Sequence, residues 1–152
     1  MAMQDFSHSL PMMLYRTLDA IMPKFRQIFR EFGLTEQQWR VLRVLWEQGA
    51  TTSRELSRFT LIPAPSLVGI IDRLAANGLV VRTRSELDRR NVFIETTDEG
   101  QKLEAKVRPR VDEAYANLRA TVSTDHWNEL MAGLERLSAI APGSRDSRNI
   151  SK

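Results

Sequence analysis

In the stretch ELDRRNVFIETTDEG, residues 86–100, Asp88, Arg89 and Arg90 stand side by side just ahead of an alternating apolar run and a helix-start signal. Arginine presents planar, forked donors that fit phosphate oxygens and guanine edges, which the point charge of lysine does not. A second stretch, LIPAPSLVGIIDRLAANG, spaces Leu67, Ile70, Ile71 and Leu74 along one face of a helix and leaves Ser66, Val68, Gly69, Asp72 and Arg73 on the other. That outer face is small near its start, as a helix seated deep in a DNA major groove requires. There Ser66 can bond a base or a phosphate, Val68 can touch a thymine methyl, Gly69 admits close backbone approach and Arg73 reaches phosphate. A merely amphipathic surface helix would carry more Lys and Glu on this side.

These residues need elements to position them. From Leu10 to Phe32 apolar residues recur at helical spacing, with Pro23 expected to bend the helix and Gly33 to end it. Thr35 with Gln38 forms a capping-box start for a second helix, TEQQWRVLRVLWEQG, which buries Trp39, Leu42, Leu45 and Trp46 and stops at Gly49. Thr52 with Glu55 repeats the box for a helix of about two turns, and Pro65 suits the first turn of the next, which Gly78 stops. Two short helices joined by a few residues are the outline of a helix-turn-helix. LVVRTR and VFIET, separated by SELDRRN, then read as a two-stranded hairpin.

A hairpin beside a helix-turn-helix is a wing, and arginines at its tip can enter a minor groove, whose negative potential attracts guanidinium groups. Standing alone, the same hairpin would be an ordinary solvated turn. Asp88 facing outward would repel DNA, so it is expected to turn inward and hold one arginine or the loop backbone. After the wing, Thr97, Asp98 and Gly100 start a long helix through Val122, weakened or bent at Pro109, and a last helix starts at Ser123 or Thr124 and runs to Ile140. The tail PGSRDSRNISK is expected to be disordered.

The 152 residues suit one domain, 42% hydrophobic and 27% charged. A pI of 9.7 with a net charge of only +3 permits a nucleic-acid partner without establishing one. The start MAMQDFSHSLPMML lacks a basic segment followed by a long apolar core, and no apolar run reaches membrane-spanning length, so the expected address is cytoplasmic. With Cys 0, disulfides, thiolate metal sites and cysteine redox switches are excluded. His8 and His126 lack metal-ligand spacing, and neither a glycine-rich phosphate loop nor a nucleophile elbow is present. Catalysis, metal and cofactor are therefore not expected.

DRRNVFIETTDEG resembles the signature of the multiple-antibiotic-resistance regulators, the MarR family: Asp-x-Arg, five positions, Leu-Thr, two positions, Gly. Asp88, Arg90, Thr97 and Gly100 fall on it, and RLAANGLVVR upstream is similar too. Thr96 stands where the family usually has Leu, so looser packing is expected there. The resemblance covers about Leu10 to Ile140, and LTEQQWRVLRVL is most similar to the subgroup controlling homoprotocatechuate (4-hydroxyphenylacetate) degradation.

The resemblance implies a mainly α fold: a winged helix-turn-helix lobe over 34–100 with a two-stranded wing, dimerisation helices over 10–33 and 101–141, and a tail over 142–152. It implies a homodimer on a pseudo-palindromic double-stranded operator with half-sites about 34 Å apart, acting as a repressor of an aromatic-compound degradation operon. The terminal helices agree, since they carry more apolar stripe than one small lobe can cover. The expected DNA contacts are Ser53, Arg54, Pro65, Ser66, Val68, Gly69, Arg73, Asp88, Arg89 and Arg90. A small aromatic carboxylate or phenolic effector would need an arginine and aromatic walls; Arg16, Arg26, Trp39 and Arg43 are the candidates. Trp39 also lies on the buried stripe, where plain core packing is the simpler reading, and Arg16 lies opposite its helix's stripe, where it can simply be solvated. The alternative is a winged-helix architectural or protein-interaction module without a ligand, which would coat DNA regardless of sequence instead of footprinting a short palindrome.

Overall fold

The computed structural model describes residues 5–140; the expected tail over 142–152 lies outside them. After a short 3-10 turn at Phe6–His8, the order is α1 (Leu10–Glu31), α2 (Glu36–Gln48), β1 (Thr51–Thr52), α3 (Ser53–Thr60), α4 (Ala64–Ala76), β2 (Val80–Arg84), β3 (Val92–Thr96), α5 (Asp98–Val122) and α6 (Thr124–Ser138). The described residues fall into two compact units that divide between Val111 and Asp112. No single helix among the described residues is long and apolar enough to cross a membrane.

Local chemistry sets most boundaries. Gly33, at φ 71°, turns the chain out of α1. Thr35 opens α2 with its hydroxyl accepting the Gln38 N–H at 3.1 Å, while the Gln38 side chain accepts the Thr35 N–H at 2.9 Å. Thr52 and Glu55 make the same reciprocal pair at the start of α3, at 3.3 and 3.1 Å. Pro65 occupies the first turn of α4, where its missing N–H leaves no bond unmade. Pro23 lies inside α1 and Pro109 inside α5, and both helices run without interruption across them.

The sheet has three strands, not the two expected. β2 pairs antiparallel with β3, Val80 opposite Thr96 and Arg84 opposite Val92, and β1 joins the far side of β3 with Thr51 opposite Ile94. Two residues are too few to show an alternating pattern, which is why the sequence conceals β1. The core of the first unit gathers Phe25, Ile28 and Phe29 of α1, Val41, Leu42 and Leu45 of α2, Leu56, Ile62, the four α4 residues Leu67, Ile70, Ile71 and Leu74, and Val80 and Ile94 of the sheet. The stripes of α2 and α4 and the C-terminal half of the α1 stripe thereby find an apolar counterpart.

Thr96, half-buried at the end of β3, makes a polar contact where looser packing was expected. Its hydroxyl accepts a 2.6 Å hydrogen bond from the Gln101 amide, and its Cβ lies 3.1 Å from where a Cβ on Gly100 would be. The hydroxyl exchanges apolar contact for a bond that pins the first turn of α5.

Candidate nucleic-acid interface

α3 and α4 turn through 108°, within the usual range for a helix-turn-helix. The turn between them, Leu61–Pro63, is fastened at several points. The Ser57 hydroxyl donates to the Ile62 carbonyl at 2.7 Å, the Thr60 hydroxyl donates to the Leu56 carbonyl at 2.6 Å and accepts the Ile62 N–H at 3.3 Å, and the Arg40 guanidinium donates to the Thr60 carbonyl. The orientation of α4 is thus set by hydrogen bonds as well as by its buried stripe.

On α4, Pro65, Ser66, Val68, Asp72 and Arg73 are exposed and Gly69 is half-buried. A Cβ at Gly69 would meet only the Arg73 guanidinium, at an ordinary 3.8 Å, so packing within the chain does not demand glycine there. At the start of α3, Ser53 is half-buried and Arg54 exposed. Asp72, the one acid on the outward face of α4, gives its carboxylate to Arg82 of β2. The pair is exposed and adds little to stability, but it offsets the charge nearest Arg73 and ties helix to wing. The sequence offers no signal for this pair, because it joins side chains ten positions apart on two different elements.

The wing tip is ordered by Ser85 and Asp88. The Ser85 hydroxyl accepts the N–H groups of Leu87 and Asp88, both at 3.2 Å, and the Asp88 carboxylate accepts the Arg90 N–H at 3.0 Å and the Asn91 amide at 3.3 Å. Asp88 therefore holds the loop backbone and not a guanidinium, leaving Arg89 and Arg90 exposed. The wing base is equally constrained. Thr97 donates its hydroxyl to the Gly78 carbonyl at 2.6 Å and accepts the Gly100 N–H at 3.1 Å, capping α5. Gly100 admits no side chain, since a Cβ would fall 2.4 Å from the Leu79 carbonyl oxygen.

The four candidate effector residues are not one cluster. Trp39 is half-buried, its ring stacked on Phe29 at 4.8 Å between centroids and edge-on to Trp46 at 5.6 Å. Arg43 lies one turn along the same helix and pairs with Glu47. Arg26 of α1 is held by Glu36 of α2 at 2.9 Å. Arg16 is exposed on α1, ten residues and about 15 Å of helix from Arg26. Trp39 and Arg43 thus share a face, whereas Arg16 stands apart. Trp46 extends this aromatic group toward the wing, its indole N–H donating to the Gly100 carbonyl at 3.2 Å. Among the described residues no group of three or more His, Asp or Glu is placed to hold a metal ion.

Known proteins share this arrangement. The family model described as MarR family matches residues 32–91, from the end of α1 through the wing tip. Over 132 residues the chain is 35% identical to the homoprotocatechuate degradative operon repressor of Escherichia coli, covering 87% of this chain and 89% of the relative. It is 38% identical over 140 residues to the HTH-type transcriptional regulator FarR of Neisseria gonorrhoeae, covering 92% and 96%. The crystal structure of NadR in complex with 4-hydroxyphenylacetate superposes with a TM-score of 0.79 at 35% identity, covering 93% of this chain and 100% of NadR. The solved structure of the transcriptional repressor CouR bound to a 23-mer DNA duplex gives a TM-score of 0.82 at 27% identity, covering 91% of this chain and 98% of CouR. Matched along nearly its whole length and in the helix-turn-helix and wing alike, the chain belongs to the MarR family of transcription regulators.

Proposed function

We propose that the chain is a homodimeric, sequence-specific binder of double-stranded DNA that represses an aromatic-compound degradation operon in the cytoplasm and is released by a small aromatic carboxylate or phenolic effector. The observation that carries the DNA reading is the pairing of a small outward face on α4 with a wing whose Asp88 is turned into its own loop, leaving Arg89 and Arg90 outside. In this reading residues 34–100 form the DNA-binding lobe, and the helices over 10–33 and 101–141 bring two copies together. Ser66, Val68 and Gly69 read base edges, Ser53, Arg54, Pro65 and Arg73 contact or approach the sugar-phosphate backbone, and Arg89 and Arg90 enter the minor groove beside it.

Two considerations support the effector class. A relative of the same family is named for the homoprotocatechuate operon, and another was crystallised with 4-hydroxyphenylacetate. In this chain the half-exposed Trp39 and the neighbouring Arg43 supply an aromatic wall and a carboxylate partner. A ligand that binds there with different affinity in two lobe positions shifts the balance between them. The contacts from Trp39 through Trp46 to the Gly100 carbonyl give that shift a material route to the wing base.

Fluorescence anisotropy tests the proposal, using DNA from upstream of the chain's own gene and scrambled DNA, with and without 4-hydroxyphenylacetate and homoprotocatechuate. The expected result is specific binding that one of these acids reverses; binding indifferent to both removes the aromatic-acid assignment, and equal affinity for scrambled DNA removes the regulator. In the same assay Arg90→Ala is expected to weaken operator binding by about 1–3 kcal/mol with the fold intact. Unchanged affinity at matched salt takes the wing out of the mechanism.

A further inference from the structure

Among the described residues, two that are not glycine have positive φ, and one of them, Leu61, lies in the turn of the helix-turn-helix at φ 56°, ψ 28°. Left-handed backbone is unfavourable for a residue with a Cβ, and the C-terminal cap of a helix, where Leu61 sits, is where glycine is ordinarily found. The leucine gains little from the protein interior in exchange, because it is 80% exposed. Its neighbours hold the strained conformation in place: Arg40 and Ser57 bond the carbonyls on either side, and the Thr60 hydroxyl receives the Ile62 N–H. Strain that the surroundings maintain around a solvent-facing side chain points to a use outside the fold.

We infer that Leu61 is an apolar DNA contact, presented by the strained turn three residues before α4 begins so that its methyl groups meet the deoxyribose edge or a thymine methyl at the rim of the major groove. The inference rests on the proposed DNA-binding role of the lobe. The turn precedes the end of α4 that carries Pro65, Ser66 and Val68, all exposed, and Val68 is itself 52% exposed. Leu61 thus adds an exposed apolar side chain just ahead of the helix that carries Val68. Unlike the arginines, it would contribute contact without neutralising a phosphate, so its effect on binding should not depend on salt.

Three variants in the anisotropy assay, compared with wild type and with Arg90→Ala over a range of salt, test the assignment. Leu61→Met keeps an apolar side chain and is expected to bind the operator as wild type does. Leu61→Asn and Leu61→Gly, which adopt left-handed backbone more readily, are expected to lose about tenfold in affinity while their unfolding midpoint does not fall. Their salt slope should match that of wild type, whereas the slope for Arg90→Ala should drop by about one. Wild-type affinity in Leu61→Asn and Leu61→Gly, with Arg90→Ala still impaired, would overturn the Leu61 contact and leave the DNA-binding lobe standing. A lowered unfolding midpoint in those variants would also overturn it, by making Leu61 a structural residue. If wild type itself fails to distinguish operator from scrambled DNA, the lobe's assigned role falls and the Leu61 contact with it.

Discussion

Within α1 the two halves face different surroundings. Phe25, Ile28 and Phe29 are buried, while Leu10, Met13, Leu14 and Leu18, two to four turns earlier, are 40–51% exposed. α6 resembles the exposed half: none of its residues is buried, and Leu130, Met131 and Leu137 are 44–48% exposed. By contrast, the helix-turn-helix and its sheet place nearly every apolar stripe residue out of water, and α2 and α3 open on side-chain capping boxes. Both kinds of region are equally periodic in sequence. The difference teaches that one set of stripes is completed by the chain itself and the other awaits apolar surface from elsewhere, which in the proposed assembly is a second copy.

The contrast can be broken most forcefully at Leu67, which is fully buried on α4. Leu67→Ala is expected to cost about 2–5 kcal/mol, read by chemical unfolding. A loss well under 1 kcal/mol would mean the lobe is not closed on itself. Next comes Gly100→Ala, whose new Cβ would meet backbone and not a flexible side chain. It is expected to cost about 1–3 kcal/mol in thermal unfolding; a neutral effect would show that the wing base can shift without resistance.

Leu14→Ala sharpens the other side of the comparison. It is expected to raise the dimer dissociation constant about tenfold, from a loss of about 1.5 kcal/mol of burial, as measured by sedimentation. If it instead destabilised the chain by the same amount at every protein concentration, the stripe would belong to the chain's own core. The smallest effect is expected at the start of α3, where Thr52→Ala should cost about 1 kcal/mol near neutral pH. The Thr52 backbone N–H and then its hydroxyl hold the Glu55 carboxyl below its ordinary 4.5. A carboxyl lowered on folding adds stability in full above its unfolded value and loses it as pH falls through the folded value. The gap between wild type and Thr52→Ala should therefore narrow below pH 4.5 by the share of the hydroxyl's bond to the carboxylate, and a gap that is constant down to pH 3 would assign it to the hydroxyl's acceptance of the Glu55 N–H alone.

Legibility followed the range of the interaction. Both capping boxes, the turn glycines and the α4 stripe could be read because each depends on residues within a few positions of one another. β1 could not, since its strand character comes from Ile94 and Phe93 across the sheet and not from its own two threonines. The Arg26–Glu36 and Asp72–Arg82 pairs were hidden for the same reason, as was the left-handed turn at Leu61, where no glycine announces it. For Asp88 two inward partners were open, an arginine or the loop backbone, and loop geometry chose the backbone. The grouping of the effector candidates depended on helix rise and packing; so Trp39 with Arg43 holds together as a pair and Arg16 does not join it.

The chain also carries its own optical readout. Of its three tryptophans, Trp39 and Trp46 lie on α2 and Trp127 on α6, beneath the Arg119 guanidinium. Replacing Trp127 with Phe would leave a tryptophan emission arising wholly from the α2 pair, one member stacked on Phe29 and the other hydrogen-bonded to the wing base. Such a protein would report, without any attached dye, when heat, a ligand or DNA disturbs the lobe, and the difference from wild type would report on α6.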